Sequence, residues 1–275
     1  LPISEEVGNR SGLAVTLNNI GLVYDNLGQP ARALEYYQQA LLIREEVGDR
    51  SGLAVTLNSI GLVYDNLGQP ARALEYYQQA LPIMEEVGDR SGLAVTLNNI
   101  GFMYKNLGQW DKALEYYQQA LPIWEEVGDR SGLAVTITNI GAVYDNLGQR
   151  ARALEYYQQA LPIMEEVGDR SGLATTLNNI GSVYDKLGQP DRALEYYQQA
   201  LPILEEVGNR SGESVTRYNI AMIYRGQGEL SEAIEQLRMV VELDRQVQHP
   251  DLQSDKEMLS QLEKEWAEQQ GNPNS

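Results

Sequence analysis

Residues 41–80 read LLIREEVGDRSGLAVTLNSIGLVYDNLGQPARALEYYQQA. The same text opens the chain, because residues 1–40 differ from it only at Pro2, Ser4, Asn9 and Asn19. It recurs from residues 81, 121 and 161, and more loosely from 201, so six copies with a period of 40 fill residues 1–240. A fixed period of this size marks a solenoid, a propeller or an array, in which each unit buries its apolar side against the next.

The punctuation inside one copy is helical. Asp49 offers an N-cap directly after Gly48, which suits the left-handed end of a preceding helix. Leu53, Leu57, Ile60, Tyr64 and Leu67 follow at spacings of three and four, an apolar stripe of helical period. Gly68 ends that helix and Pro70 opens a second, whose stripe is Leu74, Tyr77, Leu81 and Val87. Gly61 is expected to face Ala73 and Ala80, where small side chains let the pair approach. Period-2 alternation is missing, which argues against a propeller. The reading is all-α: an α-solenoid of six helix–turn–helix units over residues 1–248, with copies 1–40, 41–80, 81–120, 121–160, 161–200 and 201–248.

Three local expectations follow. Pro82, Pro122, Pro162 and Pro202 fall inside the second helices and predict a bend near residues 78–82 and their equivalents, since proline removes the amide that would bond the Gln78 carbonyl. Residues 249–270 carry the stripe Leu252, Leu259, Leu262 and Trp266 and are expected to form a capping helix, with residues 271–275 a disordered tail. The chain starts at Leu1 without methionine and its first eight residues read as the end of a helix, so a piece of a longer protein is expected. Leu13, Leu17 and Ile20 of the first copy then lack a full preceding repeat. Residues 1–12 are expected to loosen, or that end to self-associate weakly.

Composition narrows the chemistry. The 275 residues carry 39 Asp+Glu against 21 Lys+Arg, a net charge of −18, which argues against nucleic acid and anionic membrane as partners. There is no cysteine and one histidine, His249, so thiolate sites, histidine metal centres and Ser-His-Asp catalysis have almost no residues to use. No run approaches the ~20 apolar residues of a membrane helix. A non-catalytic cytoplasmic protein without cofactor or metal is expected. The paired acids Glu45-Glu46 and their equivalents could draw a cation with Asp49, but a solvated helix end plus an N-cap explains them. Gly226-Gln227-Gly228 reads as a helix-ending turn. Asn9-Arg10-Ser11 and Asn209-Arg210-Ser211 match the short glycosylation pattern.

Leu57, Ile60, Gly61, Tyr64, Ala73, Tyr77 and Ala80 fall at the spacings of the tetratricopeptide repeat signature, and the chain resembles that family over essentially residues 1–248. Leu stands where the family commonly has Trp, and Glu85 where it usually has Pro. The sixth copy departs furthest, with Arg217, Ala221, Leu237 and Val240 at signature positions. The 40-residue period is similar to that of Pins-like adaptors, kinesin light chains and bacterial, notably cyanobacterial, tandem arrays.

The resemblance implies a protein-interaction scaffold whose first helices line a concave groove. On it would lie the variable series Leu22, Leu62, Phe102, Ala142, Ser182 and Met222, the charged series Asp25, Asp65, Lys105, Asp145, Asp185 and Arg225, and a ladder of Asn19, Asn99, Asn139, Asn179 and Asn219 broken by Ser59. In the resembled adaptors asparagines at this place bind the ligand backbone, as an amide with both a donor and an acceptor can. Drift at exposed positions would explain the variable series equally well. Chaperone-binding members hold a terminal carboxylate with basic residues, and with asparagines at the positions of Asn18 and Leu22. The lysines are missing here and the face is acidic, so a basic or neutral segment is the expected partner. Copy three concentrates changes at Phe102, Met103, Lys105, Trp110, Asp111, Lys112 and Trp124. Trp110, expected exposed at the inter-helix turn, is either a binding hot spot or a contact with the neighbouring repeat. The alternative function is a structural spacer or self-associating rod.

Overall fold

A computed structural model describes residues 2–271, with side chains from residue 9 onward. Among them are thirteen helices and no strand. The chain divides into two compact units, residues 1–143 and 144–275. The first holds α1 (Pro2–Asn26), α2 (Pro30–Val47), α3 (Arg50–Asn66), α4 (Pro70–Val87), α5 (Arg90–Asn106), α6 (Trp110–Val127) and most of α7 (Arg130–Asn146). The second holds α8 (Arg150–Val167), α9 (Arg170–Lys186), α10 (Pro190–Glu206), α11 (Arg210–Gln227), α12 (Leu230–Val247) and α13 (Leu252–Gly271). In each unit consecutive helices pair and the pairs stack, the α-solenoid read from the repeat.

Glycine sets the period. Gly28, Gly68, Gly108, Gly148, Gly188 and Gly228 take φ between 66° and 82°, the left-handed region a Cβ disfavours. At Gly68 the helix ends with Gly68 N–H bonding Asp65 O at 2.8 Å and Gln69 N–H bonding Tyr64 O at 2.9 Å, so the last carbonyls of α3 are satisfied by the turn itself. The second break of each repeat works through Asp49, whose carboxylate accepts from Gly52 N–H at 2.9 Å. The N-cap expected of that aspartate is observed. Gly8-Asn9, the counterpart in copy one, lies inside the continuous helix α1.

The close approach of the two helices differs from the sequence expectation. The nearest neighbour of Gly61 is neither Ala73 nor Ala80 but the ring of Tyr77, which a Cβ at residue 61 would meet at 2.6 Å. The same holds for Gly21 against Tyr37, Gly101 against Tyr117 and Gly181 against Tyr197. These tyrosines are almost fully buried, and they rather than Leu74 and Leu81 fill the centre of each repeat with Ala73, Ala80, Ile83 and Met84. Leu67 and Val87, expected in the stripes, are exposed because each sits at a helix end beyond the pairing surface.

Pro82, Pro122, Pro162 and Pro202 are carried inside unbroken helices. Pro82 and Gln78 lie on the solvent side of α4, where water can take the carbonyl bond that the missing amide leaves open. The cap helix α13 is anchored by Leu262, fully buried among Ala221, Leu230, Ala233, Ile234 and Leu237. Trp266, expected in that stripe, is 41% exposed, as it lies a turn beyond the anchor. The disordered tail is expected from residue 271, but Gly271 is the last residue of α13, and residues 272–275 lie outside the described residues.

Gly61→Ala is predicted to lower unfolding stability by ~1–3 kcal/mol, because the ring it would strike cannot move without overpacking the repeat. Pairing it with Tyr77→Leu should recover part of the loss, since copy six carries that combination as Ala221 and Leu237, both buried. Urea unfolding of the two variants checks this.

Candidate functional site

Positions 19, 22 and 25 of each copy stand at i, i+3 and i+6 on one side of a first helix. In residues 1–143, Leu22 and Leu62 are 46% and 44% exposed although both are large and apolar. Phe102, Asn99, Asn139 and Ala142 are half-buried there, and Asn19 is exposed. In residues 144–275, Asp145, Asn179, Ser182 and Asn219 are half-buried and Asp185 is exposed. The hydroxyl ends of the buried tyrosines reach this side. The Tyr37 hydroxyl lies near Ser59, and the Tyr197 hydroxyl near Ser182 and Asn219. Burial first, then Asp185, pushes the Tyr197 hydroxyl up to about 12. The Tyr117 hydroxyl is buried without a partner. Position 19 therefore sits beside the tyrosine of the preceding repeat, which the sequence reading did not include.

The charged series is less free than its pattern implies. The Lys105 ammonium lies 4.3 Å from the centre of the Phe102 ring. Burial lowers its pKa while Asp65 pulls it back up, and burial raises Asp65 against the pull of Lys105. These opposing directions describe two partly desolvated charges of opposite sign supporting each other across two repeats. Asp145 is paired with Lys186 at 2.6 Å. Arg225 turns to α13, where it meets Glu265 at 3.5 Å and the Met258 sulfur at 3.3 Å. Met222 packs on the same cap cluster. Trp110 is half-buried at the first position of α6. Trp124 is buried and donates from Nε1 to the Thr136 hydroxyl at 2.9 Å, so it is a core residue. No group of acids and histidines suited to a metal ion occurs among the described residues.

Family comparison settles what this arrangement is. The tetratricopeptide repeat model matches residues 12–86, 92–166, 146–206 and 172–246. The chain belongs to the tetratricopeptide repeat family. No curated protein matches it. Among solved structures it is similar to a signal transduction ATPase with a tetratricopeptide repeat sensor from Pyrococcus horikoshii, at 16% identity and a TM-score of 0.78, covering 90% of this chain and 38% of that one. The chain thus spans well under half the length of that ATPase. It is also similar to a Rap protein complexed with Competence and Sporulation Factor (20% identity, TM-score 0.65, 92% of this chain and 75% of that one). A third likeness is to nearly identical repeats of a kinesin light chain from Podosopora anserina (18% identity, TM-score 0.56, 70% and 96%). At these identities the likeness is one of fold.

Within this tetratricopeptide array a second polar ladder, one residue before the asparagines at position 19, joins neighbouring first helices. The Asn58 amide donates to the Thr96 hydroxyl at 2.8 Å, and Thr96 donates to the Gly92 carbonyl at 2.7 Å. Thr56, Thr136 and Thr216 donate to Asn18, Asn98 and Asn178 at 3.1, 3.0 and 3.0 Å. These threonines are fully buried. Asn18, the clamp position in chaperone-binding relatives, is therefore engaged in structure. The unvarying Thr56, Thr96 and Thr136 were the available signal, since a buried hydroxyl needs a partner. A third ladder, Arg50–Glu86, Arg90–Glu126 and Arg170–Glu206 at 2.5–2.7 Å, spans repeats on the exposed side, where each pair contributes little.

Thr96→Val removes the acceptor of a half-buried amide and should cost ~1–3 kcal/mol in unfolding free energy. Asn58→Leu with Thr96→Val should cost less than the two single changes summed, and a double-mutant cycle in urea reads that coupling.

Proposed function

We propose that this chain is a non-catalytic cytoplasmic scaffold that holds a peptide or partner segment against its first helices, without a cofactor. The observation that carries the reading is the exposure of Leu22 and Leu62 on helices whose opposite sides are closely packed. Packing within the repeat does not account for two large apolar side chains left in water beside Asp25 and Asp65. An apolar surface rimmed by carboxylates fits an extended segment with apolar and basic side chains. Asparagines at position 19 are placed to hold its backbone, with positions 22 and 25 selecting side chains. Binding of Competence and Sporulation Factor by the Rap relative supports a segment of this kind by analogy of fold. Trp110, only half-buried, is a candidate contact at the edge of that surface.

A second reading rests on the other exposed apolar residues. Leu13 and Val23 are 49% and 56% exposed, while their equivalents Leu53 and Val63 are 7% and 0%. Thr16, Asn19, Ile20, Val23, Tyr24 and Leu27 line an open hollow on α1. A second copy of the chain meeting this end would give the weak end-to-end association of a spacer or rod. Sedimentation velocity of the wild type against Leu13→Glu with Val23→Glu separates the readings. A concentration-dependent increase that the variant abolishes supports the rod.

For the scaffold, the chain is titrated with peptides selected from a random library. Replacing Asn99 and Asn139 together by Ala should weaken binding by ~1–3 kcal/mol per lost desolvated amide. The outer-side control Gln79→Ala should leave it unchanged. Selected segments should be basic or neutral, and their affinity should fall with salt. Equal affinity for wild type and the double variant would remove the groove reading.

A further inference from the structure

At the end of the second unit, the sixth copy and the cap helix enclose a cavity that no other repeat has the residues to form. Position 44, followed at 40-residue intervals along the ends of the second helices, is Arg44, then buried Met84, Trp124, Met164 and Leu204, and finally Asp244 at the end of copy six. Position 14 changes with it, from alanine in the first five copies to Ser214, whose hydroxyl donates to Asp244 Oδ1 at 2.5 Å. Asp244 is 1% exposed. From the cap helix comes a second buried carboxyl, Asp255, at 7% exposure. Between them lies a cavity of about 310 Å³ lined by Ser214, Val215 and Tyr218 of α11, Val240 and Asp244 of α12, His249 and Asp251 of the connection, and Ser254 and Asp255 of α13. Among these lining residues there is no lysine or arginine.

The second observation is an orphaned atom. Asp244 Oδ2 is buried and no side-chain N–H or serine or tyrosine hydroxyl donates to it. The Asp255 carboxyl is within hydrogen-bonding reach of the Asp244 side chain, and it has a hydrogen to give only while protonated. Burial first, then Asp244 and Asp251, raises Asp255 to about 7, with His249 opposing. The raised value means that the folded chain holds a proton here which the unfolded chain releases near the ordinary carboxylate range. That stabilisation is complete below the ordinary range and is lost as pH rises through about 7. Above that pH two buried carboxylates face a cavity lined by no lysine or arginine, an arrangement that costs free energy unless a cation enters.

We propose that this cavity binds a primary ammonium group, as on a small amine or the side chain of a lysine. Its volume is at the low end of the roughly 300–1,000 Å³ of small-ligand pockets, so it takes a short chain rather than a cofactor. A compact ammonium fits better than a planar guanidinium fork, because Ser214 already donates to Asp244 Oδ1 and Oδ2 is the oxygen left without a donor. The ammonium donates to Asp244 Oδ2 and the Asp255 carboxylate in place of the shared proton. This site is separate from the first-helix surface, so neither proposal depends on the other.

The test titrates the full chain with n-butylammonium chloride at constant ionic strength, following backbone amide resonances of residues 214–218 and 244–255. The neutral control is n-butanol. At pH 8 the ammonium should bind saturably and butanol should not, and affinity should drop at least tenfold at pH 5.5. Asp244→Asn should weaken binding at least tenfold at pH 8. Asp255→Asn, on a different helix, should do the same, so misfolding of one variant leaves the other as a test. Asp191→Asn, on the exposed start of α10, should match wild type. Equal binding of butanol and butylammonium, or wild-type affinity in folded Asp244→Asn or Asp255→Asn, would overturn the proposal. So would a pH-dependent stability with no ammonium binding, which would make the pair a proton latch only.

Discussion

Everything in the array depends on a glycine meeting a tyrosine. Gly21, Gly61, Gly101 and Gly181 leave the space into which Tyr37, Tyr77, Tyr117 and Tyr197 insert their rings, and a single added carbon would come within 3 Å of them. The contact fixes how close the two helices of a repeat lie, and the ring fills the space that a leucine would underfill. It also carries a polar atom through the apolar centre. Tyr37 and Tyr197 bury their rings and bring their hydroxyls close to position 19 or 22 of a first helix, near Ser59 and near Ser182 and Asn219. Copy six, where the pair becomes Ala221 and Leu237, keeps the packing and gives up the hydroxyl.

Stacking one repeat on the next uses a different device. Buried threonines tie neighbouring first helices through asparagine amides, and apolar position 44 fills the space beneath. Substitutions at position 44 show how that space responds to polarity. Arg44, 5% exposed, finds Thr56 at 2.7 Å; Trp124 finds Thr136; Asp244 finds Ser214. Each polar newcomer is matched by a hydrogen-bond partner on an adjacent helix, the following one for Arg44 and Trp124 and the preceding one for Asp244, as burial demands. Only Asp244 also acquires a second carboxyl from the cap, which is why the end of the array differs chemically from its interior.

Much of this was legible in the text of residues 41–80. Period, helix ends and turn glycines follow from local backbone rules, and those rules act within a few residues. What was not legible depends on which side chains meet in three dimensions, within a repeat as well as between repeats. Gly61 was assigned to alanines because size alone pairs small with small, whereas packing density pairs small with large. Lys105 and Arg225 looked like free groove charges, but Phe102 and Asp65 hold one and Glu265 of the cap holds the other. Leu22 and Leu62 were assigned to the concave face from the geometry of the resembled family, and the structure leaves both exposed. Trp266 was assigned to the cap interface from periodicity, which does not say where the surface beneath the helix ends.

The central claim is that the first helices, at positions 19, 22 and 25, form the surface that takes a partner segment. Site-specific photo-crosslinking tests it most directly. A benzophenone amino acid is placed either at Leu62, on that surface, or at Gln79, on the exposed side of α4. Each chain is irradiated with the same library-selected peptide. The account predicts covalent adduct from position 62 and none from position 79. Adduct from position 79 alone, or equal adduct from both, would contradict it.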